Sequence, residues 1–204
     1  MTSKINRRQA IRPLLSALVL ASVFLVGACE TPMATQRLPD ITFAHLSVFR
    51  VDVASVEVDN RFAPPLKAPN VEHRLSTTPA KAMKQWAKDR LNPVGQSGKL
   101  RFLIEDASAV ETAIGRDKSL KGHFTKQQSH RYDFAVRATL SLTDANGIER
   151  GTATAATSRS ITVREDISLN EREKTWFRIV DRLLADFNSE MEANLRQHLA
   201  PWLR

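Results

Sequence analysis

The chain is poor in the residues on which much small-site chemistry depends. Its 204 residues include one cysteine and seven glycines. One cysteine cannot close an internal disulfide, so stability rests on packing. With so little glycine there is no phosphate-cradling loop and no Gly-x-Ser-x-Gly elbow. The five histidines, His45, His73, His123, His130 and His198, form no His-x-x-x-His or similar pair with a nearby carboxylate. Metal binding is therefore unsupported. Long apolar runs are missing too. Residues 14–28 make a run of 15, two of them serine, behind Pro13. A spanning helix needs about 20 apolar residues. After residue 40, Arg, Lys, Asp or Glu breaks every apolar patch, and residues 1–28 contain no acid.

That acid-free start is ordered. Lys4, Arg7, Arg8 and Arg12 come first, the apolar residues follow, and Val26-Gly27-Ala28-Cys29 closes the segment. A charged region, an apolar region and a small-residue cleavage site read as an export signal rather than a structural helix. With cysteine behind the small pair, the segment resembles the lipobox of bacterial lipoproteins. The resemblance implies cleavage between Ala28 and Cys29, diacylation of the Cys29 thiol and acylation of the new amino terminus. Covalent lipid on Cys29 is the only prosthetic group expected. The alternative is an ordinary export signal with an incidental cysteine. Two or more acyl chains hold a protein stably where one holds it marginally. Arg7-Arg8 also resembles a twin-arginine signal, but Gln9-Ala10-Ile11-Arg12 lacks the usual apolar pair, so both export routes stay open.

Removing residues 1–28 leaves 176, enough for one domain with a sizeable core. Four of the 30 basic residues and none of the 22 acidic ones lie in the removed part, so the formal charge falls from +8 to +4. Much of the basicity belongs to a discarded segment, and a nucleic-acid partner is not indicated. Residues 29–40 read as a lipidated tether with two prolines, and residues 41–204 as a single periplasmic domain.

Residues 41–58 read as strand. Phe49, Val51 and Val53 alternate with Arg50 and Asp52, and Val56 and Val58 continue in the opposite phase, which predicts a bulge or bend near Ala54-Ser55. Residues 60–78, with Pro64, Pro65 and Pro69, read as loop. Thr78-Pro79 opens a helix ended by Asn92-Pro93. Leu100, Phe102 and Ile104 mark a second strand that runs irregularly toward Val110. Residues 131–143 alternate most clearly, Asn146-Gly147 turns the chain, and residues 148–164 return. Ser168-Leu169-Asn170-Glu171 has capping-box spacing and starts a helix reaching about Ala200, before Pro201.

One-sided helices and one-sided strands are most simply buried in a two-layer α/β sandwich of the α+β type. The sheet is expected to be largely antiparallel with about four strands, and both helices lie on one face. At 1.5 Å per residue the last helix is about 48 Å long, against about 33 Å for a ten-residue strand. Its last turns are expected to overhang the sheet and either meet another part of the domain or project.

Candidate chemistry is sparse. Glu105-Asp106 is an acid pair that solvation at a strand end explains. No nucleophile, base and orienting group share a favourable spacing. The segment 116–131 carries Arg116, Lys118, Lys121, Lys126 and Arg131 against Asp117 alone, with His123, Phe124 and His130. A basic loop with an aromatic suits anionic lipid headgroups or an acidic partner surface, while a solvated loop is the plainer reading. Leu195, Leu199, Trp202 and Leu203 form a second candidate surface if exposed, and core otherwise.

The order of elements is similar to a loose group of envelope lipoproteins. They include the auxiliary lipoproteins of ABC-type lipid transporters and the lipoprotein that plugs the lipopolysaccharide-assembly translocon. The similarity rests on Cys29, the helix Pro79–Leu91 feeding Leu100–Asp106, the hairpin at Asn146-Gly147 and the closing helix from Ser168. It implies non-enzymatic help in moving or assembling outer-membrane lipids or proteins. The partners would be the membrane, through the anchor, and an envelope protein or amphipathic lipid. A membrane-tethered hydrolase of envelope polymers is the alternative. Glu30 replaces the aspartate associated with inner-membrane retention, so the periplasmic face of the outer membrane is expected.

Overall fold

A computed structural model describes residues 38–115 and 128–204. Its strands are β1 (Phe49–Val51), β2 (Ser55–Asn60), β3 (Leu91–Pro93), β4 (Lys99–Ala113), β5 (Gln128–Thr143) and β6 (Glu149–Arg164), and its helices are α1 (Pro79–Arg90) and α2 (Leu169–His198). The main sheet runs β2-β4-β5-β6, with β2 parallel to β4 and the rest antiparallel. Both helices pack on one face, which makes the expected two-layer sandwich. β1 and β3 form a separate parallel pair.

The local causes are legible. Thr78 accepts the Lys81 amide at 3.2 Å to start α1, and Ser168 accepts the Glu171 amide at 3.2 Å to start α2. Both side chains satisfy amides that a helix start leaves orphaned. Leu100, Phe102, Ile104, Phe134, Val136 and Leu140 line the inner sheet face and are fully buried. Trp86 of α1 stands 5.3 Å from Phe102 and 5.4 Å from Phe187 of α2, joining sheet and helices. Its indole N–H donates to Asn188 Oδ1 at 2.9 Å.

Residues 41–58 depart from the expected single bulged strand. Val51 and Ser55 belong to different sheets. Val53 N turns back to Val51 O at 2.8 Å, and Ala54 N donates to Ser97 O and Gly98 O, each at 3.1 Å. The phase slip in the sequence is a change of sheet. Gly95 permits it, since a Cβ there would lie 2.6 Å from the Asp52 and Val53 backbone.

The expected overhang of α2 is also absent. A ten-residue strand was too short a yardstick: β6 has 16 residues, or about 53 Å, against about 45 Å for the 30 residues of α2. The end of α2 lies over the start of β6, where a Cβ on Gly151 would come 2.7 Å from Leu199 Cδ2.

Candidate functional site

Cys29 and Ala28 lie outside the described residues, as do Arg116, Lys118, Lys121, His123, Phe124 and Lys126. The remaining loop candidate, Arg131, lies on β5 on the outer sheet face. It is exposed but not free. Its Nε donates to Asp133 Oδ1 at 2.8 Å and its Nη2 to Ser160 Oγ at 3.1 Å. Its charge is answered locally.

The segment 116–127 joins the far ends of β4 and β5, where Ile114 N donates to Ser129 O at 2.8 Å. On the helix side of that end, polar groups converge that the sequence reading missed. Tyr132 Oη donates to Glu111 Oε1 at 2.6 Å, and Arg74 Nη1 donates to Glu111 Oε2 at 2.8 Å. His130 Nε2 lies 3.9 Å from Glu111 Oε1. Burial alone would raise the Glu111 pKa, but the Tyr132 and Arg74 bonds outweigh it and hold the carboxyl below its ordinary range. Burial and the bond to Glu111 push the Tyr132 hydroxyl well above its ordinary value. Trp176 of α2 packs edge-on against Tyr132 at 5.3 Å, and the Arg74 guanidinium lies 5.5 Å from its ring centre.

The cluster places one arginine, one tyrosine hydroxyl and one histidine around a single carboxylate. Two further donors on α2, Arg172 Nε and Trp176 Nε1, are buried with no hydrogen-bond partner among the described residues. The signal that would have found the cluster is register: Glu111 and Tyr132 are direct cross-strand partners.

Hydroxyl, imidazole and carboxylate also fall in one row here, with Ser129 Oγ 2.8 Å from His130 Nδ1. The row does not make a nucleophile. Ser129 is 5 % exposed, Glu111 Oε1 already accepts the tyrosine proton, and 3.9 Å is beyond hydrogen-bond range. No group of three His, Cys, Asp or Glu that could hold a metal occurs among the described residues. No helix among them is long and apolar enough to cross a membrane.

No family model and no curated protein matches the chain. Two bacterial lipoproteins of known structure are similar to it. One is a minor lipoprotein from Acinetobacter baumannii, 12% identical over 71% of this chain and 94% of that one, with a TM-score of 0.35. The other is the rare lipoprotein B from Shewanella oneidensis, 13% identical over 70% of this chain and 98% of that one, with a TM-score of 0.29. At these scores the likeness assigns neither family nor function.

The second candidate surface is placed differently from an exposed patch. Leu195 and Leu199 are fully buried, and Trp202 and Leu203 are half-buried against the core. The tail closes the small sheet: Leu203 bridges Val51, Asp52 N donates to Trp202 O at 2.8 Å, and Arg204 N donates to Arg50 O at 2.9 Å. These four residues are packing, because the strands are long enough to sit under the whole of α2.

Proposed function

We propose that the chain is a lipid-anchored periplasmic protein of the cell envelope, held by acyl chains on Cys29. It acts without catalysis, as an accessory or binding component in the transport or assembly of outer-membrane lipids or proteins. The observation that carries this reading is the apolar segment 14–28 closing on Val26-Gly27-Ala28-Cys29 behind a basic, acid-free start. The basic segment 116–131 is the surface that meets an anionic headgroup or an acidic partner. Glu30 favours the periplasmic face of the outer membrane.

Cys29→Ser tests the anchor. The unsubstituted protein is expected in the envelope fraction with a mass raised by acyl groups, and the variant in the soluble periplasmic fraction. An unmodified thiol in the native protein, or a variant that stays with the envelope, refutes the reading. Crosslinking in cells from positions in 116–131 then tests the binding surface, with a glycolipid or envelope protein as the expected product.

A further inference from the structure

The two edges of the main sheet are finished differently. Beyond β2, the segment 61–72 covers the outer edge of β4. Arg61 N donates to Ile104 O at 3.0 Å, Val71 N to Ala109 O at 2.9 Å and Glu111 N to Pro69 O at 2.8 Å, while the buried Glu72 carboxylate accepts Ala109 N at 2.8 Å. The other edge is β6, 16 residues long. Its even-numbered residues turn their backbone groups away from β5. Thr154 O accepts Asn194 Nδ2 at 2.7 Å, and Ala156 N donates to Glu190 Oε1 at 3.3 Å, so α2 covers the edge there with side chains. The same parity turns the backbones of Ser158, Ser160 and Thr162 outward. No described residue bonds those groups.

Beside this uncovered stretch lies an open groove of about 470 Å³, between the end of β6 and the first turns of α2. Ile161, Val163 and Ile167 give it an apolar wall, with Glu171, Thr175 and Arg178 opposite. Glu171 is paired with Lys174 at 3.3 Å. Arg178 is exposed, donates to Thr175 Oγ1 at 3.2 Å and has no ion-pair partner among the described residues.

We infer that the Ser158–Thr162 edge and the groove beside it form a strand-addition site for an extended segment of a partner protein. That segment is apolar at alternate positions and carries an acidic residue opposite Arg178. In such recognition, main-chain hydrogen bonds supply affinity, and pockets for every second side chain supply selectivity. Folded proteins usually blunt a long edge with proline, lysine, a bulge or a covering element. Residues 158–163 contain no proline and no lysine. Their one inward charge, Arg159, is neutralised by Asp186 at 2.5 Å. A second copy of this chain is a poorer occupant. Residues 151–164 hold no acid, so pairing β6 with β6 leaves Arg178 unanswered. The inference does not depend on the state of Cys29.

Hydrogen–deuterium exchange on the full chain tests it. The probe is a synthetic peptide that alternates valine and threonine and carries one glutamate. Exchange at Ser158, Ser160 and Thr162 should slow, while Ala156, already bonded to Glu190, stays unchanged. N-methylation of the peptide amides on the bonding edge should abolish the protection without altering the protein. Ser158→Pro removes an outward donor at an edge position where proline is tolerated, and binding should weaken about fivefold for each bond lost. Arg178→Glu should move the preference to a lysine-bearing peptide. Unchanged exchange at millimolar peptide overturns the inference. So does protection that needs no peptide and grows with protein concentration, which assigns the edge to a second copy.

Discussion

Breaking the Arg90–Glu192 pair should cost very different amounts depending on which partner is removed. Arg90 is buried among α1, β1 and α2, with 2 % of its side chain exposed against 34 % for Glu192. Its Nη2 meets Glu192 Oε2 at 2.7 Å, its Nη1 donates to Ser47 O, and its guanidinium carbon lies 4.5 Å from the Phe49 ring centre. Arg196 holds the other carboxylate oxygen at 2.9 Å. Burial lowers the Arg90 pKa, and Glu192 opposes that shift. Glu192→Ala leaves a buried cation uncompensated beside a second arginine, which should cost about 3–5 kcal/mol. Arg90→Met keeps apolar volume in place, and Glu192 retains Arg196 and solvent, so the loss should be about 1–2 kcal/mol. With a urea slope of about 2 kcal/mol per M, the two midpoints should differ by about 1 M. The double variant should be more stable than Glu192→Ala alone. Urea unfolding followed by far-UV circular dichroism measures all three. If Arg90→Met is the costlier change, or if the double variant loses the sum of the two, desolvation of Arg90 is not the controlling effect.

Other consequences can be measured directly. Tyr132 is the only tyrosine, so phenolate absorbance reports it alone. Its raised pKa stabilises the fold below about pH 10 and loses that contribution as pH rises through the folded value, so the folded protein should show no phenolate at a pH of about 10. Glu111→Gln should lower the onset, and a normal midpoint in the folded protein would refute the contact. The depressed Glu111 pKa works with the opposite sign. Its contribution is present above about pH 4.3 and lost as pH falls through the folded value, so Arg74→Met should move acid unfolding to higher pH. Gly151→Val should cost about 1–3 kcal/mol by forcing Leu199 and the end of α2 outward. A thermal midpoint equal to that of the parent would show that the helix end is not packed there.

The parts of the fold that were readable share one property: their cause is local. Alternation at residues 131–143 marks one inner face because side chains in a strand alternate, and Thr78 and Ser168 mark helix starts because their oxygens meet amides three residues on. Sequence distance hides the rest. Arg90 follows Lys88 and Asp89 and looks like one more exposed charge of α1, but its partner Glu192 is 102 residues away. The change of sheet between Val51 and Ser55 shows only as a phase slip, and the residues that fix it, Ser97 and Gly98, lie far along the chain. The polar cluster was missed because β4 was expected to fade near Val110, one residue short of Glu111. The uncovered edge of β6 needed the reach of Asn194 and Glu190 to be visible.

The seam along β1 is closed by residues very distant in sequence. Arg204 is bonded to Asp52 across 152 positions, and the backbone beside it completes the pairing of Arg50 and Asp52. A contact of that span gains nothing until the intervening chain has folded and brought its two ends together. The main sheet and α2 therefore form the frame on which the seam closes, and the pole holding β1 and β3 should fray first on warming, ahead of the β4-β5-β6 meander.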